Sequence, residues 1–233
     1  MIKKILHQWK LILGLLFSML FLYLAFRRVE FKHMAAALTT VDYWYVLPTV
    51  AVILLSLWLR AWRWRYFLMP LQNVAMTPLF NSLLIGYLFN IFLPAHLGEI
   101  VRAYVLARKT PLTATAAFGT IVIERIIDVL AMLLLLAAAM IVYPFPQWVK
   151  TGGYLTGVLV VLLFVLLMLM KKYRSFSLRL LDRITRPLSA GLAARLTHML
   201  DSFIQGILPL QKKSHYLIVA LQSIALWACY GYI

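Results

Sequence analysis

The sequence predicts an all-α polytopic membrane protein with about five to seven transmembrane helices and a re-entrant helical hairpin. Of its 233 residues, 64% are hydrophobic and only 13% are charged, whereas a soluble domain averages about half apolar and about a quarter charged residues. The mean hydropathy is +0.90. The apolar residues are gathered into segments of helical length, and most Lys and Arg residues lie between these segments. We therefore expect a single integral membrane domain over residues 1–233.

The charge and the cysteine content exclude several classes of protein. The net charge is +16, but the cations flank apolar segments and form no separate basic domain. An anionic lipid surface explains them better than a nucleic acid does. The single cysteine, Cys229, excludes an intrachain disulfide and a thiolate metal cluster. Since no other residues have metal-ligand spacing, we expect neither a metal nor a cofactor.

The first apolar segment, residues 11–26, is predicted to be an uncleaved transmembrane helix. Lys3, Lys4 and Lys10 precede it, as in a signal peptide, but Arg27 follows at once and no small-residue cleavage site is present. The basic residues before this helix place the N-terminus in the cytoplasm.

Further apolar segments follow along the chain. In the longest of them, Thr110 is the predicted N-cap and Pro111 the first helical residue, while Pro144 and Pro146 forbid continuation of the helix. The segments are residues 44–59, 79–93, 112–143, 154–170 and 215–233. The last of these runs to the final residue without a polar cap, which leads us to expect that the chain is C-terminally incomplete.

Residues 173–213 form a basic, amphipathic segment that we place in the cytoplasm. Together with the two lysines before them they contain nine Lys and Arg residues, and cytoplasmic loops carry such an excess. Within this segment, apolar residues recur at helical spacing: Leu192, Leu196, Met199, Phe203 and Ile207. The pattern predicts an amphipathic helix that lies on the membrane surface or packs on the helix bundle.

The positive-inside rule places both ends of residues 66–109 in the cytoplasm. This stretch contains one short apolar run, so we predict that residues 79–109 form a re-entrant hairpin that breaks at Pro94 and returns along residues 98–107. Such a backbone is tolerated at membrane depth only when it is buried in protein or lines a wet cavity. Two short complete crossings would satisfy the same rule and remain open.

The hairpin contains the first group of candidate site residues. Glu99 and Arg102 are three apart and are predicted to pair on one helix face. Amide groups after the Pro94 break would favour an anion, and charged groups within an apolar interior are costly without a role. The alternative is a hairpin tip whose polar groups only satisfy one another. The group comprises Asn90, Pro94, His96, Gly98, Glu99 and Arg102.

Two other motifs add candidate residues. In "ERIID", Glu124, Arg125 and Asp128 lie either at the membrane interface or inside the bundle beside Glu99 and Arg102. In "RAWRWR", Arg60 and Arg63 could bind a lipid phosphate, although a basic anchor within an aromatic belt explains the same residues. Two nearby carboxylates can support acid–base catalysis, but no nucleophile or metal-ligand set accompanies them. We therefore expect the protein not to be an enzyme.

Two stretches, "SLLIGYLFNIFLPAHLGEIVRAYVL" and "GTIVIERIIDVLAML", resemble the lysylphosphatidylglycerol synthase transmembrane-region family, a flippase-like membrane domain. The family pattern is Asn, Leu-Pro, a small residue, Arg, any residue, Gly-Glu, two residues and Arg, followed further along by Glu-Arg-x-x-Asp. His96 stands where the family usually has Arg. "RAWRWR" stands in place of the usual Arg-x-x-Arg-Trp. The matching residues are Asn90, Pro94, Gly98, Glu99, Arg102, Glu124, Arg125 and Asp128.

The resemblance implies translocation or presentation of a lipid across the cytoplasmic membrane of a prokaryote. We expect the partner to be an anionic phospholipid or a polyprenyl-phosphate conjugate, with a homo-oligomer or a biosynthetic enzyme as further partners. The alternative function is a non-catalytic membrane scaffold that recruits a lipid or cell-envelope biosynthetic enzyme through the basic segment.

Overall fold

The computed structural model describes residues 2–27, 29–187, 189–207, 210 and 212–232, and the side chains of residues 2–11, 13 and 213 are outside this description. The described residues contain helices and no strand, so the prediction of an all-α membrane protein is confirmed. The helices are α1 (Ile2–Phe26), α2 (Phe31–Thr40), α3 (Val46–Leu68), α4 (Met76–Phe92), α5 (Gly98–Ala107), α6 (Ala114–Val142), α7 (Gln147–Lys172), α8 (Arg174–Thr185), α9 (Ala190–Gly206) and α10 (Lys213–Tyr232).

Three stretches of the described chain are long and apolar enough to cross a membrane: Tyr43–Leu68, Ala114–Val142 and Gln147–Lys172. Gly14–Phe26 and Met76–Phe92 are shorter apolar helices. Large apolar side chains on α6 and α7 are exposed, as expected where lipid replaces a protein neighbour. The number of crossings and their orientation stay predictions.

The chain divides into two compact units, of which the first is Met1–Pro48. It contains α1, α2 and a short 3₁₀ turn, whose start is capped by Asp42 Oδ1 accepting a hydrogen bond from the Trp44 amide at 3.1 Å. Phe26 and Phe31 stack with their ring centroids 6.1 Å apart. The side chains of the N-terminal lysines, on which the predicted orientation rests, lie outside the described part.

The second unit is Thr49–Ile233 and contains every candidate site residue. Its main core is formed by side chains of α3, α5 and α6, among them the fully buried Trp64, Leu106 and Ile121. Helix α5 packs between α4 and α6, α9 packs on α6, and α8 packs on α9. This arrangement brings three polar helix faces, from α3, α5 and α6, to one place in an apolar bundle.

Helices α4 and α5 form a tight helical hairpin. Its 3₁₀ turn, Pro94–His96, contains two consecutive residues in the left-handed region, Ala95 at φ 56° and His96 at φ 55°. A side chain at Gly98 would overlap the carbonyl oxygen of Gly86, because the two helix backbones touch there. The structure thus forms a helical hairpin over the predicted residues, and its re-entry into the membrane stays a prediction.

Helix α6 begins later than its sequence predicts. Thr113, not Thr110, is the N-cap, and its hydroxyl oxygen accepts a hydrogen bond from the Ala116 amide at 3.2 Å. Thr110 instead donates its hydroxyl proton to the Leu106 carbonyl at 2.9 Å. The prediction of Thr110 as the cap is therefore wrong, because the end of α5 has already engaged that side chain.

Helix α9 packs on the bundle, which was one of the two alternatives for this amphipathic segment. The contact is made by small residues: a Cβ atom at Gly119 of α6 would lie 2.5 Å from the Phe203 carbonyl oxygen, and one at Gly206 would overlap the Ala116 carbonyl. Of the predicted apolar face, Leu192 and Met199 are exposed, whereas Phe203 packs against Phe118 of α6 and Ile207 is fully buried. Close backbone approach at the glycines and the C-terminal end of the predicted apolar face together bury one side of α9.

Candidate functional site

Seven charged side chains meet where α3, α5 and α6 pack together. On α3 and α5 the two charges are three residues apart, and on α6 the adjacent Glu124 and Arg125 lie four and three residues before Asp128, so each helix presents its charges on one side. This ion cluster, as we call it, consists of Arg60 and Arg63 from α3, Glu99 and Arg102 from α5, and Glu124, Arg125 and Asp128 from α6.

Glu124 is the centre of the ion cluster. Its side chain is 0% exposed and lies 3.2 Å from Arg63 Nη2 and 3.1 Å from Arg102 Nη2. The Arg63 side chain is also 0% exposed; it pairs with Asp128 at 2.6 Å and donates a hydrogen bond to the Ser223 hydroxyl at 3.0 Å. Two guanidinium groups therefore offset the large desolvation cost of the buried carboxylate.

The predicted pairing of Glu99 with Arg102 along α5 is wrong. Glu99 pairs with Arg125 of α6 at 2.8 Å, while Arg102 pairs with Glu124. Because α5 packs directly on α6, each side chain finds its partner across the interface rather than three residues along its own helix. The structure thus places "ERIID" inside the bundle, which was one of the two positions left open, and the pair Arg125–Asp128 at 3.3 Å is as its spacing suggests.

Trp64 fixes the orientation of Arg102. The guanidinium carbon lies 3.7 Å from the centroid of the Trp64 ring, a cation–π contact in a desolvated place. The indole N–H of Trp64 donates to the Thr120 hydroxyl oxygen at 2.9 Å, and both residues are buried. The plane of the Arg102 guanidinium is consequently held in place before any ligand arrives.

Arg60 forms the edge of the ion cluster. It donates a hydrogen bond to the Tyr230 hydroxyl at 2.7 Å, lies 3.8 Å from Asp128, and stands 5.7 Å from the ring of Tyr87. The basic-anchor explanation of "RAWRWR" therefore does not describe Arg60 and Arg63, whose charged partners are Glu124 and Asp128 of α6.

The sequence-predicted site did not include Trp64, Tyr87, Ser223 and Tyr230, which contact the arginines of the ion cluster. Trp64 lies one residue after Arg63 in "RAWRWR" and was attributed to an aromatic belt. Ser223 and Tyr230 are seven apart on α10, hence on one helix face, but this spacing alone does not distinguish them from any other pair of polar residues in that helix.

A cavity of about 140 Å³ opens beside the ion cluster. Three guanidinium groups and one carboxylate border it, so its charged lining is predominantly positive. Its lining includes Arg60, Tyr87, Asn90, His96, Glu99, Arg102 and Arg125. A concave, largely buried site of this kind favours a small anion that accepts hydrogen bonds from several arginines.

The remaining hairpin candidates have different positions. Asn90 Oδ1 accepts a hydrogen bond from the Gly98 amide at 2.8 Å, so Asn90 closes the hairpin and also occupies an amide that was predicted to favour an anion. Pro94 is exposed in the turn and is not among the residues that line the cavity. His96 is exposed as well, but it borders the cavity at the position where the resemblance implies an arginine.

The described residues contain no group of three or more His, Cys, Asp or Glu side chains that could hold a metal ion. The acidic residues of the ion cluster face arginines instead, and each of the three has at least one guanidinium nitrogen within 4 Å.

The chain matches the model of one known family over almost its whole length. The family model for the lysylphosphatidylglycerol synthase transmembrane region matches residues 11–233, which include most of the first unit, the whole second unit and all residues of the ion cluster. Searches of curated proteins and of solved structures gave no match. The chain therefore belongs to the lysylphosphatidylglycerol synthase transmembrane-region family, a family of membrane proteins of lipid metabolism or translocation.

Proposed function

We propose that this protein binds the anionic headgroup of a phospholipid or polyprenyl-phosphate conjugate and translocates or presents that lipid across the cytoplasmic membrane. The observation that carries the proposal is the small cavity bordered by Arg60, Arg102 and Arg125 within an apolar helix bundle. Arginine is the side chain best suited to planar, multiple hydrogen bonding of phosphate. A membrane interior retains such groups only where a function or a partner compensates them.

The charges of the ion cluster favour an anion. Four guanidinium groups face three carboxylates, so the formal sum is +4 − 3 = +1 when no ligand is bound. Within a medium of low dielectric constant an uncompensated charge is costly. A phosphodiester with one negative charge would bring this sum to zero.

Hydrogen-bond donors are available for such a ligand. The Nε atoms of Arg60 and Arg102 are buried and make no hydrogen bond to any part of the chain that the structure describes. A buried donor without a partner costs free energy, and a phosphate oxygen in the cavity beside both side chains would satisfy it. Binding of the ligand would thereby remove the free-energy cost of the two unpaired donors.

A second cavity of about 200 Å³ lies on the other side of Arg60 and Arg125. Its lining adds the apolar side chains Met132 and Trp227 to Asp128 and Tyr230. The same two arginines thus border a polar cavity and a more apolar one. This juxtaposition suits an amphiphile whose phosphate contacts the arginines while its apolar part remains beside α6 and α10.

The test is lipid translocation in proteoliposomes with a fluorescent phosphatidylglycerol and with a fluorescent polyprenyl-phosphate sugar. We expect Arg125→Gln and Glu99→Gln to lower the rate at least tenfold, because a lost charge-assisted hydrogen bond is worth about 1.5–3 kcal/mol. Arg108→Gln is the matched control: it lies at the end of the same hairpin, is exposed, and contacts the Tyr104 hydroxyl rather than the cavity.

Unchanged rates in both cavity variants would contradict the proposal. The scaffold alternative predicts a distinct pattern, in which the cavity variants retain full function in cells while charge reversal within the basic segment abolishes it. Phosphatidylcholine as a probe in the same assay separates recognition of an anionic headgroup from unselective lipid scrambling.

A further inference from the structure

Helix α8 exposes a continuous apolar stripe. Phe176, Leu180 and Ile184 are spaced four residues apart and are 60%, 46% and 63% exposed. Tyr173, the residue before the helix, continues the stripe and is also exposed. Three large apolar side chains on one face of a twelve-residue helix, with a fourth just before it, are an unfavourable surface in water.

The bundle does not need this stripe for packing, because α8 contacts α9 through a different face. Thr185 is buried, Leu178 and Leu181 are half-buried, and Arg174 donates a hydrogen bond to Asp201 of α9 at 2.5 Å. The orientation of α8 is thus fixed by α9, and the apolar stripe is held facing outward.

A row of cations runs beside the apolar stripe. Arg179, Arg183 and Arg186 follow one another at spacings of four and three residues, which places them on one flank of the helix, and all three are exposed. Asp182, the acidic residue of α8, lies 4.0 Å from Arg186 in an exposed i,i+4 pair, so the three arginines still outnumber it on this flank. A helix with an apolar stripe and a basic flank is the form that binds anionic membrane surfaces.

The position of α8 along the chain supports the same partner. Helix α7 is long and apolar enough to cross the membrane and ends at Lys172, and α8 begins at Arg174. Tyr173 is the only residue between the two helices, so α8 starts where α7 leaves the bilayer. Lys171 and Lys172 add two cations at this boundary.

We propose that α8 is an interfacial helix that inserts Phe176, Leu180 and Ile184 into the leaflet at which α7 ends, with Arg179, Arg183 and Arg186 on the phosphates of anionic lipids. The occupant of the stripe is thus the lipid surface and not a second copy of the chain or another protein. This inference concerns a surface outside the ion cluster and does not depend on lipid translocation.

The test uses single cysteines, since Cys229 is the only native one. In a Cys229→Ala background, Leu180→Cys and Ile184→Cys carry nitroxide labels, and Ser175→Cys, exposed on another face of α8, is the matched control. The protein is placed in nanodiscs of phosphatidylcholine with or without phosphatidylglycerol. Collision of the label with oxygen reports the lipid phase, and collision with a water-soluble nickel chelate reports the aqueous phase.

We expect labels at positions 180 and 184 to collide with oxygen several-fold more, relative to nickel, than the label at position 175, with a larger ratio when phosphatidylglycerol is present. Arg179→Glu combined with Arg183→Glu should abolish the phosphatidylglycerol effect, while Arg195→Glu, an exposed charge reversal on α9, should not. Labels that collide mainly with nickel would overturn the proposal, as would labels that both reagents fail to reach, since a protein would then cover the stripe. Insertion that is insensitive to phosphatidylglycerol and to the charge reversals would overturn the role of the basic row.

Discussion

At the scale of single residues, the ion cluster depends on Glu124. This carboxylate is fully buried and touches arginines from two other helices, so it joins α3, α5 and α6 through charge as well as through packing. Replacing one member of a buried pair leaves the partner charged and desolvated, which costs more than the pair itself contributes.

We therefore expect Glu124→Gln to lower the free energy of unfolding by about 3–5 kcal/mol, since Arg63 and Arg102 would lose a common counter-charge. The control is Asp182→Asn, which removes an exposed pair with Arg186 at 4.0 Å and should cost less than about 1 kcal/mol. Thermal unfolding of the detergent-solubilised variants measures both. Equal melting temperatures for the two variants would show that Glu124 is not a central counter-charge.

The identity of the charged residues was predictable from the sequence, but their partners were not. Glu99, Arg102, Glu124, Arg125 and Asp128 stand out because charge is rare in an apolar chain. Spacing along one helix suggests pairs three or four residues apart, whereas the Glu99–Arg125 pair depends on how α5 docks on α6. How two helices dock depends on small residues and close packing. The periodicity of a single helix does not predict either of them.

At the scale of elements, the helical hairpin depends on Gly86 and Gly98. A Cβ atom at Gly98 would lie 2.5 Å from Asn90 Oδ1, and one at Gly86 would lie 2.8 Å from the Cβ of Arg102. The close approach of the two helices at these glycines therefore sets the separation of α4 from α5. It also sets the position of Arg102 within the ion cluster.

We expect Gly98→Ala to destabilise the protein by about 1–3 kcal/mol, because overpacking forces the two backbones apart. Gly152→Ala is the control: a Cβ there meets no atom within 4 Å, and alanine favours a helix over glycine by up to about 1 kcal/mol. The melting temperature should fall in the first variant and stay or rise in the second. A Gly98→Ala protein with an unchanged melting temperature would contradict the close approach.

The contact between α8 and α9 should depend on pH through Asp201. The hydrogen bond from Arg174 holds the pKa of Asp201 below its ordinary value. A carboxyl whose pKa is lowered on folding stabilises the folded state above its unfolded pKa, about 3.9, and this contribution is lost as the pH falls through the folded pKa.

The melting temperature of wild type minus that of Asp201→Asn should thus be constant above about pH 5 and shrink as the pH is lowered further. In an Arg174→Gln background, the same difference should vary less with pH because the main cause of the lowered pKa is gone. A wild-type difference that grows on acidification would have the wrong sign for this contact.

The extent of the elements was largely predictable from apolar runs and prolines. Helix α6 ends at Val142, just before Pro144, and α5 spans the predicted return of the hairpin. The boundary at Thr113 was not predictable, since Thr110 is engaged by the end of α5. The buried face of α9 was predictable only at its C-terminal end, because the glycine contact with α6 decides the rest. Helices α7 and α8 are separated at Tyr173, although tyrosine is not a residue that breaks helices.

At the scale of the whole molecule, an occupied site should be more stable than an empty one. If an anionic lipid binds the folded protein alone, it stabilises that protein by about 2.7 kcal/mol at a concentration one hundred times its Kd. We expect phosphatidylglycerol to raise the melting temperature of the solubilised protein more than phosphatidylcholine does.

This stabilisation should be reduced in Arg125→Gln and retained in Arg108→Gln, because the first side chain borders the cavity and the second does not. An equal rise in melting temperature with both lipids would contradict recognition of the anionic headgroup, and this outcome is independent of the transport assay. The overall class of the molecule, an all-α membrane protein, was predictable from its composition.

The contact between Gly119 and Gly206 has a mechanical consequence. It fixes one point of α6 against α9, and Glu124 lies only five residues beyond that point, about 7.5 Å along the helix axis, whereas Val142 lies about 35 Å away. If α6 tilts about this pivot by about 10°, Glu124 moves by roughly 1.3 Å and Val142 by roughly 6 Å. A tilt about this contact would therefore displace the far end of α6 more than four times as far as it displaces Glu124.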